Sequence, residues 1–322
     1  MIDDLTQPIS KRLLLLLLLV TIGSEAALFL SRYSYFFSEV YQAIMIISIF
    51  VAWRLHPRLA GNEQRRLERH SGEREHLTEI DGTVPSSAPV NRQPFIRQMI
   101  SQFAVVFLIF YLGAIVFNFY SAILFEDFNE SYGDYMEESA VIMNESLRGV
   151  AEEGGAGSVA NLIFEWFSLA GSDFYADILA GFEEVYRIAY IILFLMLFKK
   201  CFPKQWEKPN RDLFLMIALF LSSVLFGVGH ALDTPQPWTV TIGTIATFTN
   251  LGLILGLLLL WTRNLWLLIA VHAIYDIFMS IEWYYFEFSS LIFAGLLLLA
   301  WAIETATRKT TPDLNPGLRV SD

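Results

Sequence analysis

Eight stretches of this chain are each apolar for about 20 residues, the length an α-helix needs to cross the hydrocarbon core of a bilayer. They lie near 13–30, 36–53, 99–124, 175–198, 212–232, 238–262, 265–282 and 286–303. Within lipid a backbone must satisfy its own hydrogen bonds, so segments of this kind form helices and not open sheets. The fold class that follows is an all-α polytopic membrane protein with about eight transmembrane helices. Of the 322 residues 55% are hydrophobic and only 17% charged, which excludes an ordinary soluble domain. A single cysteine, Cys201, excludes an internal disulfide and a cysteine-rich metal site. Ser24-Glu25-Ala26, after the first leucine run, has the small-residue look of a signal-peptidase site, but the further spans favour a retained anchor.

Charge sets the expected orientation, because Lys and Arg near span ends stay on the cytoplasmic side. Residues 54–98 carry eight arginines, 199–211 hold Lys199, Lys200, Lys204, Lys208 and Arg211, and Arg263, Arg308, Lys309 and Arg319 follow later spans. By contrast 126–165 holds ten acidic residues against the single Arg148. With both termini cytoplasmic, only Arg32, Arg148 and Arg187 of the 22 basic residues fall outside or within the membrane. The net charge of −11 therefore reflects one acidic outer loop and not a basic partner, and no nucleic-acid partner is expected. The chain divides into two N-terminal transmembrane helices over 1–54, a cytoplasmic polar linker over 55–98 with a short helix around 62–77, a third helix with the acidic outer loop over 99–174, a helix core over 175–303 and a cytoplasmic tail over 304–322. Part of the outer loop, 158–170, is aromatic enough to lie in the membrane interface.

The core spans contain ionisable residues, each of which costs about 2.5–3.5 kcal/mol at a helix centre and so normally faces a bundle interior. Glu183-Glu184-Val185-Tyr186-Arg187 sets Glu183 four residues and Glu184 three residues from Arg187, so either acid can pair with it on a shared face. His230 follows Gly227 and Gly229, whose size lets another helix approach. His272 and Asp276 are four apart, so the carboxylate can fix the imidazole tautomer. The three other histidines, His56, His70 and His76, fall in or beside the linker. Counted along straight spans from the cytoplasmic end, Glu183 lies about 22 Å deep, His230 about 27 Å, His272 about 11 Å and Asp276 about 17 Å. The residues alone leave three readings open. They could clamp helices at about 0.6–2 kcal/mol per contact; His230 could be an interfacial residue; or they could relay protons in a transporter.

The order of these groups resembles the CPBP family of intramembrane glutamic proteases, which includes the CAAX prenyl endopeptidases and relatives tied to bacteriocin processing. The resemblance rests on the paired acids with Arg187, on Phe226-Gly227-Val228-Gly229-His230, and on His272-Ala273-Ile274-Tyr275-Asp276 two spans later. It covers roughly 175–282, so 175–303 is a CPBP-like catalytic helix core. The family reads Glu-Glu-x-x-x-Arg, whereas this chain has one residue fewer before Arg187, and Asp276 stands where asparagine is common. Aligned on the paired acids, the long arginine side chain reaches from the neighbouring position.

The resemblance implies peptide-bond hydrolysis without a covalent enzyme intermediate and without a cofactor or metal. Glu183 or Glu184, with His230, would activate a water, and His272, oriented by Asp276, would donate to the oxyanion. The implied partners are a membrane-anchored protein or peptide substrate and the lipid bilayer. The expected location is a bacterial inner (plasma) membrane, and removal of a C-terminal anchor in protein sorting fits a cavity near the outer face. A proton-coupled transporter and an inactive family member kept as a binding partner are the alternatives.

Overall fold

The computed structural model describes residues 1–80, 93–134, 171, 174–208, 211–232 and 236–310. The segment expected at the interface, 158–170, lies outside the described residues. Among those residues there is no strand, and eight long helices carry the fold: α1 Lys11–Ser31, α2 Tyr35–Ile80, α3 Gln93–Leu124, α4 Glu183–Cys201, α5 Asp212–Leu232, α6 Trp238–Thr262, α7 Leu265–Tyr284 and α8 Ser289–Thr310. Seven of them are long and apolar enough to cross a membrane. The protein is an all-α polytopic membrane protein.

The eighth helix, α4, has 19 residues and holds Glu183 and Glu184 in its first turn and Lys199 and Lys200 in its last. Its rise is about 28 Å, enough for the hydrocarbon core. Residues Glu184 to Ile192 are all buried, the mark of a helix surrounded by others. It packs against α1, α2, α5, α6 and α7, which makes it the axis of the bundle. Aliphatic side chains of α4 such as Val185, Ile188, Ile191, Ile192 and Leu195 fill the core around it.

Two local irregularities shape the N-terminal helices. In α1, residues Leu19–Gly23 form a single π-helical turn. The hydroxyls of Thr21 and Ser24 donate to carbonyls within and just before that turn, Thr21 to Leu17 at 2.6 Å and Ser24 to Val20 at 2.8 Å and to Thr21 at 2.7 Å. Such a turn re-aims every residue after it. In α2, Pro57 removes a backbone donor and Gly61 adopts φ 64°, so the helix kinks there before continuing to Ile80. A side chain at Gly61 would also meet Asp4, its Cβ falling 2.9 Å from Oδ2. The N-terminal turn docks on this end of the bundle through Arg58, which donates to the Gln7 and Pro8 carbonyls, and through Asp3, which accepts a two-pronged pair from Arg211 at 2.7 Å.

Candidate active site

The fourth apolar stretch is not one helix. Residues 174–180 are helical, Gly181 and Phe182 turn, and α4 starts at Glu183. Where a continuous span would carry the two acids in its interior, they occupy the first turn of a helix instead. Gly181 permits the break, because a Cβ there would stand 2.6 Å from the Ile269 carbonyl oxygen of α7. The positive end of a helix dipole favours carboxylates in the first turn, by about 0.3–1 kcal/mol each, which offsets part of the cost of burying them.

The two acids then part company. Glu184 is wholly buried and binds Arg187 through both oxygens, with Nε to Oε2 at 2.8 Å and Nη2 to Oε1 at 3.1 Å. Arg187 uses its remaining nitrogen, Nη1, to donate to the Gly252 carbonyl of α6 at 2.8 Å, and its guanidinium lies 4.5 Å from the Phe226 ring centre. The Nδ1–H of His272 donates to Glu184 Oε1 at 3.2 Å, while Nε2 faces Asp276 Oδ2 at 3.4 Å. Four candidate residues from α4 and α7 thus form one bonded chain. Straight-span counting separates Glu183 and His272 by about 11 Å in depth; the direct Glu184–His272 bond shows that helix packing closes that gap.

Glu183 stays out of that chain. It lines a cavity of about 270 Å³ together with His230, Tyr41, Glu25 and Phe226. The His230 Nδ1–H donates to the Phe226 carbonyl one turn earlier at 2.9 Å, which leaves Nε2 as the nitrogen available to accept a proton. Phe248 of α6 stacks on the imidazole with ring centres 3.9 Å apart, and Phe226 lies 4.5 Å away, so the ring is clamped. Phe226 also reaches His272, at 6.1 Å between centres, and Arg187 of the bonded chain lines the same cavity. Asp276 faces a different cavity of about 510 Å³, with Asp177, Tyr275 and Ser280. Among the described residues no three His, Cys, Asp or Glu side chains are grouped as a metal-binding set.

Residues 178–278 match the family model for type II CAAX prenyl endopeptidase Rce1-like proteins, and this match spans all six candidate residues. The matched residues, about a third of the chain, are similar to CAAX proteases. No curated protein and no solved structure matches the chain. The matched segment runs from just before the break at Gly181 to just past Asp276, and α1, α2, α3 and α8 lie outside it.

Two residues that line the cavity beside Glu183 and His230 come from outside the match and were not singled out by sequence. Tyr41 of α2 donates to Glu183 Oε1 at 3.3 Å. Glu25 of α1, just after the π-turn, faces Gly229, where a Cβ would come 3.2 Å from its Oε2. That Oε2 is buried without a hydrogen-bond partner among the described residues. A charge inside the first leucine-rich span is the same signal that points to Glu183, so Glu25 was findable by that rule. Tyr41 was not, since a tyrosine near a span end is commonplace.

Gly227 fixes how closely α5 approaches α6 within the matched segment. A Cβ there would fall 2.4 Å from the Ile245 carbonyl oxygen and 2.5 Å from Thr249 Oγ1. Backbone cannot yield as a side-chain tip can, so Gly227→Ala is expected to lower stability by about 1–3 kcal/mol and to loosen the His230–Phe248 stack. Gly229→Ala meets only the mobile end of Glu25 and is expected to fold as the parent does. Thermal unfolding of both variants in detergent checks the contrast, and equal stabilities would contradict it.

Proposed function

We propose that the chain is a glutamic-type intramembrane endopeptidase in which Glu183, with His230, activates a water to hydrolyse a peptide bond of a membrane-anchored protein. The observation that carries this reading is the division between adjacent acids. Glu184 is committed to Arg187 and His272, whereas Glu183 shares a cavity with His230. One acid anchors the site and the other is left for chemistry. A buried carboxylate already bonded through both oxygens is a poor base, because taking a proton would break bonds the fold depends on.

In this mechanism the water gives its proton to Glu183 or to His230 Nε2, and the resulting hydroxide adds to the scissile carbonyl carbon. The oxyanion accepts a hydrogen bond from His272. Its Nε2 lies 3.4 Å from Asp276, longer than a tight hydrogen bond, so the donor can transfer to a stronger acceptor. Collapse breaks the C–N bond and the stored proton passes to the leaving amine. No covalent enzyme intermediate forms.

With both termini on the cytoplasmic side of a bacterial inner membrane, the cavity lies towards the outer face. A scissile bond at or just outside that boundary fits, as in removal of a C-terminal anchor during sorting; a lipidated cytoplasmic tail fits less well. The test reconstitutes the full chain in liposomes with two probes. One is a library of quenched-fluorescent single-span peptides, and the other is a farnesylated Cys-aliphatic-aliphatic-x peptide. Cleavage of single-span peptides is expected, with loss of cleavage in His230→Ala protein that still accumulates and unfolds at the wild-type temperature. Retained cleavage in that variant ends the assignment of His230, and proton or solute flux without any proteolysis replaces the enzyme by a transporter.

A further inference from the structure

Glu183 stands at a helix start with nothing local to hold it. The residue before it, Phe182, makes no side-chain cap, and the cation one turn on, Arg187, is spent on Glu184 and the Gly252 carbonyl. A carboxylate free to rotate is a poor base, because catalysis needs the accepting oxygen fixed within a fraction of an ångström of the water. The structure supplies one hold, and it comes from outside the matched segment. The Tyr41 hydroxyl of α2 donates to Glu183 Oε1 at 3.3 Å, which leaves Oε2 without a described partner.

Packing shows that this contact is set by helix register and not by chance approach of a surface side chain. One turn further along α2, Met45 is buried and touches the hydroxyl of Tyr186, one turn further along α4. Successive turns of two helices running in the same direction therefore meet in step. Glu183 and Tyr41 together line both the cavity of about 270 Å³ that holds His230 and an adjoining one of about 280 Å³ bounded by Leu28, Gln42 and Leu179. Their hydrogen bond stands between the two spaces. From α1, Glu25 faces the first of them.

We propose that Tyr41 is the positioning residue for Glu183, and that the two N-terminal helices, which the family match does not include, form an obligatory wall of the site. The proposal rests on the reading of Glu183 as the base. The hydroxyl occupies one carboxylate oxygen so that the other meets the water, and the tyrosine takes no part in bond making. It follows that the matched segment alone is an incomplete enzyme.

Tyr41→Phe keeps the ring and removes only the hydroxyl. In the full reconstituted chain, acting on a single-span peptide that the wild type cleaves, kcat is expected to fall about ten- to a hundredfold, the range for losing a hydrogen bond to a charged group, with KM unchanged. Tyr33→Phe, at an exposed residue, serves as the control and is expected to match wild type. A second readout needs no substrate: labelling of Glu183 by a hydrophobic carbodiimide, followed by mass spectrometry, is expected to speed up once the hydroxyl no longer holds the carboxylate. Wild-type kcat and wild-type labelling in Tyr41→Phe overturn the proposal, as does a loss of kcat that comes with a rise in KM and an equal loss of thermal stability. If His230→Ala abolishes cleavage while Tyr41→Phe keeps wild-type kcat and labelling, the protease reading stands and this inference falls. If the wild type cleaves nothing, the protease reading falls, and the labelling rate alone decides whether Tyr41 holds Glu183.

Discussion

Glutamine in place of Glu183 is expected to lower kcat by about 10²- to 10⁴-fold, the contribution of a positioned general base, while leaving the bundle nearly as stable as wild type. The side chain lines the cavity and its one described hydrogen bond is from Tyr41. A glutamine carbonyl can accept that bond, so no buried donor is stranded. What changes is the charge, and with it the capacity to take a proton from water. The stability cost is confined to a weaker interaction with the helix start, about 0.3–1 kcal/mol. Glutamine in place of Glu184 should behave in the opposite way, because it strips the counter-charge from an arginine only 1% exposed. Cleavage of a single-span peptide and thermal unfolding, measured on both variants, separate the roles. An active Glu183→Gln protein beside a stable but inactive Glu184→Gln protein would reverse the assignment.

The contrast between these two neighbours was hidden in the sequence. Spacing makes Glu183 and Glu184 equally able to reach Arg187, at four and three residues, and nothing local breaks the tie. The structure breaks it through helix rotation: Glu184 points to α7, where His272 takes one of its oxygens, and Glu183 points to α2 and α5. By contrast the pairing of His272 with Asp276 was legible, because a four-residue separation on a regular helix leaves little choice. The apolar spans were legible for the same kind of reason, since the bilayer sets their length before any tertiary contact forms.

What stayed invisible were departures from regular helix inside apolar stretches. Gly181 and Phe182 read as part of a continuous span, yet the chain turns there because α7 packs its Ile269 carbonyl where a side chain would be. The π-turn at Leu19–Gly23 follows directly on a run of leucines in which every register looks alike. Both irregularities border the cavity: one sets Glu183 at a helix start, the other precedes Glu25. Hydropathy averages over such details, and only packing between spans distant in sequence selects them. The cavity wall contributed by Tyr41 and Glu25 went unread for that reason, while the match over residues 178–278 covers the half of the site whose residues are close in sequence.

Methionine in place of Arg187 is expected to destabilise the protein by about 3–5 kcal/mol, the penalty for removing one partner of a buried ion pair. Glu184 is fully buried, and the loss of three donated bonds leaves its carboxylate with His272 alone and removes the extra bond to the Gly252 carbonyl. Replacing both charges together, as in Glu184→Leu with Arg187→Met, removes the uncompensated ion and should recover most of that loss, since apolar pairs of similar volume can substitute for buried ion pairs at little net cost. Recovery stops short of completion because His272 Nδ1 then lacks its acceptor, at about 1–3 kcal/mol. Thermal unfolding of the two single variants and the double gives the coupling directly, and additive losses would show that the pair is not a unit. Cleavage should not recover with stability. In the double variant Glu183 and His230 are intact, but His272 has lost the bond that aims it, so a well-folded protein with depressed kcat is the expected result. That separation distinguishes an ion pair that orients His272 from one that only clamps helices, for which restored stability would bring full activity back with it.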